Sequence, residues 1–356
     1  MNDYFKILSE RPSCVQSSLS KKLIQSTHIY PMKKTQATRR QFIQAGLALS
    51  TSFGVLNLAK AGPQSPTQVL QQDHGMRLVL LGTAGGPTPK KNRAAPSQVI
   101  MIDGEAFVVD CGNGVAQQFV KAGLSLGSLR HIFITHHHSD HNADYGNLML
   151  LAWAADLNHR IDTYGPRPLN RMTKLFLEMN AFDIHTRIKD EGRQNLVKMI
   201  YPHEVEDDGL IMDDGKTRVT AAQVVHPPIR RAYAYRFDHK GKSIVISGDT
   251  SYSANLVKLA ENADILVHEV MHAAALDKLL ASEPQATRLK QHLLDSHSTF
   301  EQVGRVAREA KVKKLVLSHF VPGGDTSISE QMWIDGVRPF FDGEIVCGRD
   351  LLVIDV

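Results

Sequence analysis

From Met76 onward the apolar positions fall into short runs of β-type residues separated by turn signals. Arg77–Leu81 is expected as a strand that breaks at Gly82-Thr83-Ala84-Gly85-Gly86-Pro87; Gln98–Ile102 and Ala106–Val109 are expected as strands around the turn Asp103-Gly104-Glu105. Asp110-Cys111-Gly112-Asn113-Gly114 then opens a helical stretch through Val120 to Gly123, and His131–Ile134 forms the next strand. Residues 143 to 215 carry the weakest pattern: a helix around Leu169 to Asn180, a mixed charged run from Asp183 to Lys198, and the expectation that this segment covers the functional site. Strands resume at Arg218–Val225, Arg231–Phe237, Lys242–Ser247 and Asp264–Val267. A helix is expected over Thr299–Ala310, with Phe300, Val303, Val306 and Ala307 on one face, before strands at Lys314–Leu317, Glu344–Val346 and Leu351–Ile354. Strands bunched in two halves, with helices between them, predict an α/β architecture of two sheets packed together with helices outside.

Candidate chemistry concentrates just after the strand His131–Ile134. In Thr135-His136-His137-His138-Ser139-Asp140-His141, the residues His136, His138, Asp140 and His141 form an H-x-H-x-D-H pattern. A helix scatters such side chains around its circumference, whereas a loop leaving a strand can gather them on one centre. Imidazole nitrogen and carboxylate oxygen suit zinc and tolerate iron or manganese, so the ligands point to divalent metal without fixing which. Six residues cannot wrap one ion tetrahedrally. A split is therefore expected, with His136 and His138 on a first ion and Asp140 and His141 on a second.

The missing ligands stand at the ends of other apolar runs. Ala222-Gln223-Val224-Val225 delivers His226, Ile244-Val245-Ile246-Ser247-Gly248 delivers Asp249, and Leu315-Val316-Leu317-Ser318 delivers His319. Taken singly, these are a turn residue, a helix cap and a core histidine. Together with the cluster they complete a two-metal site: His226 on the first ion, His319 on the second, Asp249 bridging both.

The H-x-H-x-D-H cluster, the later His, Gly-Asp-Thr and Leu-Ser-His-Phe resemble the metallo-β-lactamase fold superfamily. His268-Glu269 after a strand, and Ser296-His297-Ser298-Thr299 opening a helix, are similar more narrowly to its ribonuclease Z and arylsulfatase branch. The resemblance runs from about Met76 to the C-terminus and implies a four-layer αββα sandwich over residues 76–356. It also implies that His297 is the general acid, with Glu269 hydrogen-bonded to it to orient the ring and raise its pKa. Asp140 is counted with them as both ligand and catalytic residue. The run His268-Glu269-Val270-Met271-His272 also satisfies H-E-x-x-H, but that motif needs a helix, and Ile265-Leu266-Val267 places its first histidine at a strand end.

Two ions roughly 3.5 to 4 Å apart can activate a bridging hydroxide and offset charge on the transition state. The expected function is an exported dinuclear hydrolase of small phosphodiesters or aryl sulfate esters, by attack of that hydroxide with His297 as general acid. Three alternatives stand beside it: a ribonuclease Z-like endonuclease processing tRNA 3′ ends; a lactonase, thioesterase or β-lactamase; and a diiron redox or non-catalytic metal-binding protein. Ribonuclease Z proper is opposed by the export expectation and by residues 227 to 248, which leave no room for the tRNA-binding arm usual in bacterial members.

Charge changes the picture only at the N-terminus. The 356 residues are 42% hydrophobic and 22% charged, with a formal net charge of +4. Residues 1–61 hold nine Lys and Arg against two Asp and Glu, which leaves the remaining body at 32 against 35, a net of −3. No clustered basic face is expected there, and nucleic acid is not an expected partner. Lys33-Lys34, Thr38-Arg39-Arg40-Gln41-Phe42-Ile43, the weakly apolar run to Leu58 and Ala59-Lys60-Ala61 form a twin-arginine (Tat) signal. Cleavage after Ala61, passage through the Tat translocase and a periplasmic location are expected, followed by a linker over 62–75. Met32 is a candidate true start. The apolar run is too short and too rich in Gly, Ser and Thr to leave a membrane anchor. The branch resemblance admits a homodimer, and Cys111 and Cys347 neither require nor exclude a disulfide.

Overall fold

The structure, a computed structural model, describes residues 75–356; the twin-arginine and cleavage expectations, and the linker up to residue 74, lie outside the described residues. Two seven-stranded mixed sheets face one another. The first contains β1 (Met76–Gly82), β2 (Ser97–Ile102), β3 (Glu105–Val109), β4 (Leu129–Phe133), β5 (Ile161–Pro166) and β6 (Ile200–Val205). The second contains β7 (Gly209–Asp213), β8 (Thr217–Gln223), β9 (Tyr233–His239), β10 (Lys242–Ile246), β11 (Ile265–Met271), β12 (Lys314–Val321) and β13 (Glu344–Cys347), and the chain ends in β14 (Leu352–Asp355). The sheet orders are β14-β1-β2-β3-β4-β5-β6 and β13-β12-β11-β10-β9-β8-β7, so the last strand returns to the first sheet. β3 to β6 are parallel, as are β10 to β13, while the outer hairpins are antiparallel.

The continuous apolar runs arise because most strands are covered on both faces. On β1, Leu78 and Leu80 point between the sheets while Val79 and Leu81 point outward under helices. The inter-sheet layer joins Phe107 and Phe133 to Tyr235 and Phe237, with Phe237 edge-on to Phe133 at 5.1 Å and 88°. Each such ring contributes about 2–3 kcal/mol through burial. Outside the second sheet, the helix Phe300–Glu309 buries Val303, Val306 and Ala307, starting at the Thr299–Gln302 capping box. The αββα sandwich expected from the sequence is the fold observed.

The covering role expected of residues 143–215 is not what the structure shows. The helices Tyr145–Ala154, Leu169–Met179 and Ala181–Glu191 pack on the outer face of the first sheet through Leu148, Trp153, Leu169 and Ile184, and β5 and β6 extend that sheet. The site is walled instead by the helices Leu276–Ser282 and Leu289–Ser296. The physical reason is that β6 is an edge strand, half exposed, and so lacks the apolar run of a central one.

Candidate metal centre

The site residues sit beyond the C-terminal ends of parallel strands: Asp110 after β3, His136 and His138 on the loop after β4, Asp140 and His141 in the short helix Ser139–Asn142 that ends that loop, and Asp249 after β10. His226 follows β8, and His319 lies within β12. β11 and β12 slip register between Glu269 and Val270. Ser318 pairs with Glu269 and Phe320 with Val270, which leaves His319 as the extra residue, at φ +46°. A bulge of this kind re-aims a side chain that regular pleating would place elsewhere.

Two groups of four donors result. His136 Nε2 lies 2.9 Å from His138 Nδ1, which lies 3.0 Å from His226 Nε2, and Asp249 Oδ2 is 3.7 Å from His136 Nε2. In the second group His141 Nε2 lies 3.3 Å and His319 Nε2 lies 3.2 Å from Asp249 Oδ1, with Asp140 Oδ2 at 3.6 and 3.4 Å from the same two nitrogens. Within each group all donor atoms fall within 4.8 Å of one another, and Asp249 belongs to both. All seven residues singled out in the sequence therefore converge.

The hydrogen bonds behind these rings test whether a cation fits. His226 Nδ1 faces the Ser296 carbonyl at 2.9 Å, and His141 Nδ1 faces Asp110 Oδ2 at 2.7 Å. A carbonyl or carboxylate only accepts, so each Nδ1 donates, and in a neutral ring Nε2 presents a bare lone pair to the cluster. Lone pairs and carboxylate oxygens aimed at one another repel unless a cation lies between them, so the donor set fits a divalent metal. Burial holds His136 well below the ordinary imidazole value. At His141 burial also opposes the charge, but Asp249, Asp110 and Asp140 outweigh it and pull protonation upward, so proton and cation compete for one nitrogen.

His297 closes the helix Leu289–Ser296 and places Nδ1 3.0 Å from both Glu269 oxygens. Burial disfavours its charge; the Glu269 carboxylate overcomes this and raises the ring to about 9. Glu269 is held in turn by the Thr250 N–H at 2.6 Å. β11 is a strand, and His272 packs on Phe300 and Trp333, so the H-E-x-x-H residues do not form a helical pair. Sequence reading missed Asp110, which orients His141, and His292, which borders the cavity. Asp110 ends an apolar β run as Asp249 does, and that was its available signal. Beside the clusters lies a cavity of about 510 Å³, lined by His292, His297, His319, Leu279, Leu289 and Lys90 among others.

This fold and donor set define a metal-dependent hydrolase of the metallo-β-lactamase fold. The chain belongs to the family described as anti-Pycsar protein Apyc1, whose model matches residues 76–316. It is 32% identical over 284 residues to ribonuclease Z of Mycobacterium avium, a match covering 79% of this chain and 98% of that protein. It is 31% identical over 284 residues to ribonuclease Z of Mycolicibacterium gilvum, covering 79% and 96%. Two solved structures share the fold over 79% of this chain and 99% of theirs, each at a TM-score of 0.58: the metallo-β-lactamase fold protein YhfI from Bacillus subtilis, at 21% identity, and human tRNase Z, short form, at 24%.

These relatives correct two expectations. The reading as a hydrolase of small phosphodiesters or aryl sulfates gives way to the ribonuclease Z reading, because relatives bearing that name match over nearly their whole length. Residues 227–248 do hold only the β9–β10 hairpin and its flanking loops, as expected, and relatives of that name match over nearly their whole length all the same. The exclusion of nucleic acid does not hold against them. A net charge of −3 sums the whole body and does not describe the groups that border the cavity, which include Lys90 and Lys278 beside Glu283 and Asp325, with Lys278 paired to Asp325 at 2.8 Å.

Proposed function

We propose that this chain is a ribonuclease Z-type endonuclease that hydrolyses one phosphodiester near the 3′ end of precursor tRNA. The observation that carries the reading is the 32% identity to a protein named ribonuclease Z across 98% of that protein's length; the two donor clusters and the His297–Glu269 pair lend it chemical sense. His136, His138, His226 and Asp249 would hold one ion, and Asp140, His141, Asp249 and His319 the other. Zinc suits both sets, with manganese or iron as alternatives. When bound, such a pair supplies an activated water and charge offset at the phosphate. His297, kept protonated by Glu269, has its second ring nitrogen available to protonate the departing ribose oxygen. Asp140 is fixed for its role by the Gly86 N–H at 3.1 Å.

The test is incubation of purified protein with precursor tRNA, with and without chelator. A single chelator-sensitive cut near the mature 3′ end is expected; intact precursor at high enzyme concentration would sink the reading. Export through a twin-arginine leader would carry the enzyme away from this substrate, so the proposal requires a cytoplasmic pool, measurable by cell fractionation.

A further inference from the structure

His292 has no part in the two donor clusters or the acid pair, yet it borders the cavity. It lies on the helix Leu289–Ser296, five residues before the capping His297, with its ring centre 5.9 Å from that of His138, 6.2 Å from His226 and 6.1 Å from His297. Its orientation is fixed from behind. Ser296 Oγ stands 2.5 Å from the carbonyl of Pro227 and 3.2 Å from His292 Nδ1. A hydroxyl has one hydrogen, and a carbonyl can only accept. Ser296 therefore donates to Pro227, and His292 must donate from Nδ1 to Ser296. A neutral His292 is thus held as the Nδ1–H tautomer, with a bare Nε2 lone pair. No described residue hydrogen-bonds to that Nε2.

An acceptor of this kind beside a phosphodiester site needs a donor from the substrate. Phosphate oxygens offer only acceptors and base-edge donors change from base to base, whereas a ribose 2′-hydroxyl offers an O–H at every nucleotide, the group that separates RNA from DNA. We propose that His292 is a specificity-determining residue whose Nε2 accepts a hydrogen bond from the ribose 2′-hydroxyl of the nucleotide at the scissile phosphate. The inference rests on the ribonuclease reading above and adds the sugar contact to it. His292 moves no proton and breaks no bond.

The experiment compares kcat/KM on precursor tRNA with that on the same RNA carrying a single 2′-deoxy nucleotide on the 5′ side of the mapped cut. The unaltered protein should favour the all-ribo substrate by about tenfold, the worth of one hydrogen bond that the deoxy substrate leaves unmade. In His292→Ala the ribo rate should fall to the deoxy rate and the preference should vanish, while His292→Gln, which retains a side-chain acceptor, should recover part of it. Ser296→Ala, which frees the tautomer, should reduce the preference without removing it. Affinity for the cleaved 5′ product should show the same ribo-over-deoxy preference and the same loss in His292→Ala. Equal losses on both substrates in His292→Ala, or a preference unchanged in every variant, overturn the inference and leave the ribonuclease reading standing. Failure of the unaltered protein to cut any RNA overturns both.

Discussion

His297 Nδ1 is equidistant, at 3.0 Å, from the two carboxylate oxygens of Glu269. On the proposed reading, the ring's other nitrogen is the one that hands a proton to the leaving group. His297→Ala should lower turnover of precursor tRNA by about 10² or more, while metal content measured by elemental analysis stays at that of the unaltered protein. Bis-nitrophenyl phosphate, whose leaving group needs no proton, should be cut by the variant with far smaller loss. Equal losses on both would remove His297 from the acid role.

The same pair sets a pH limb. With the ring raised from 6.5 to about 9 by Glu269 against burial, His297 is protonated through neutral pH, and the rate should fall as pH climbs through about 9. Glu269→Gln removes the charge that raises it, so the fall should begin at lower pH. A profile with no alkaline limb, or one unmoved in Glu269→Gln, contradicts the assignment. Because the folded-state value lies above the unfolded one, His297 also contributes stability that is complete below about 6.5 and is lost as pH rises through 9.

Asp249 reaches both clusters, one oxygen each. Asp249→Ala should therefore lose both ions and all activity together, read by elemental analysis after dialysis. A variant that keeps one full equivalent would show that the clusters bind independently. Metal should also be lost on acidification, since His141 takes up a proton on the nitrogen that faces the cluster.

Asp110 grips His141 from behind at 2.7 Å. Asp110→Ala leaves every donor in place but frees that ring, and affinity measured by chelator competition should fall about 10- to 100-fold.

Between the sheets, Phe133→Ala should cost about 3–5 kcal/mol in urea unfolding, because Phe133 is fully buried against Tyr164 and Phe237. A loss below 1 kcal/mol would mean that the inter-sheet layer closes over the gap.

Much of this was legible along the chain because a two-faced buried strand writes itself as a continuous apolar run, and the polar residue ending each run is conspicuous. His226, Asp249 and His319 were found that way. The bulge that turns His319 inward was not, since its cause is a register slip between β11 and β12 that no local pattern encodes. The cavity walls were misplaced for a similar reason. The helix Leu276–Ser282 carries Leu276, Leu279 and Leu280 at helical spacing, but the residues it packs against, Met271, Leu293 and Val321, come from separate elements that local spacing does not bring together. Net charge summed over residues 62–356 was no guide to nucleic acid as a partner, because a sum carries no information on where charges stand.

β14 lies beside β1, with Asp355 paired to Arg77 and Leu352 to Leu80. The first segment of the fold to leave the ribosome must therefore wait for the last before its open edge is capped, so truncation by even a few C-terminal residues would leave newly made protein with a bare, sticky flank.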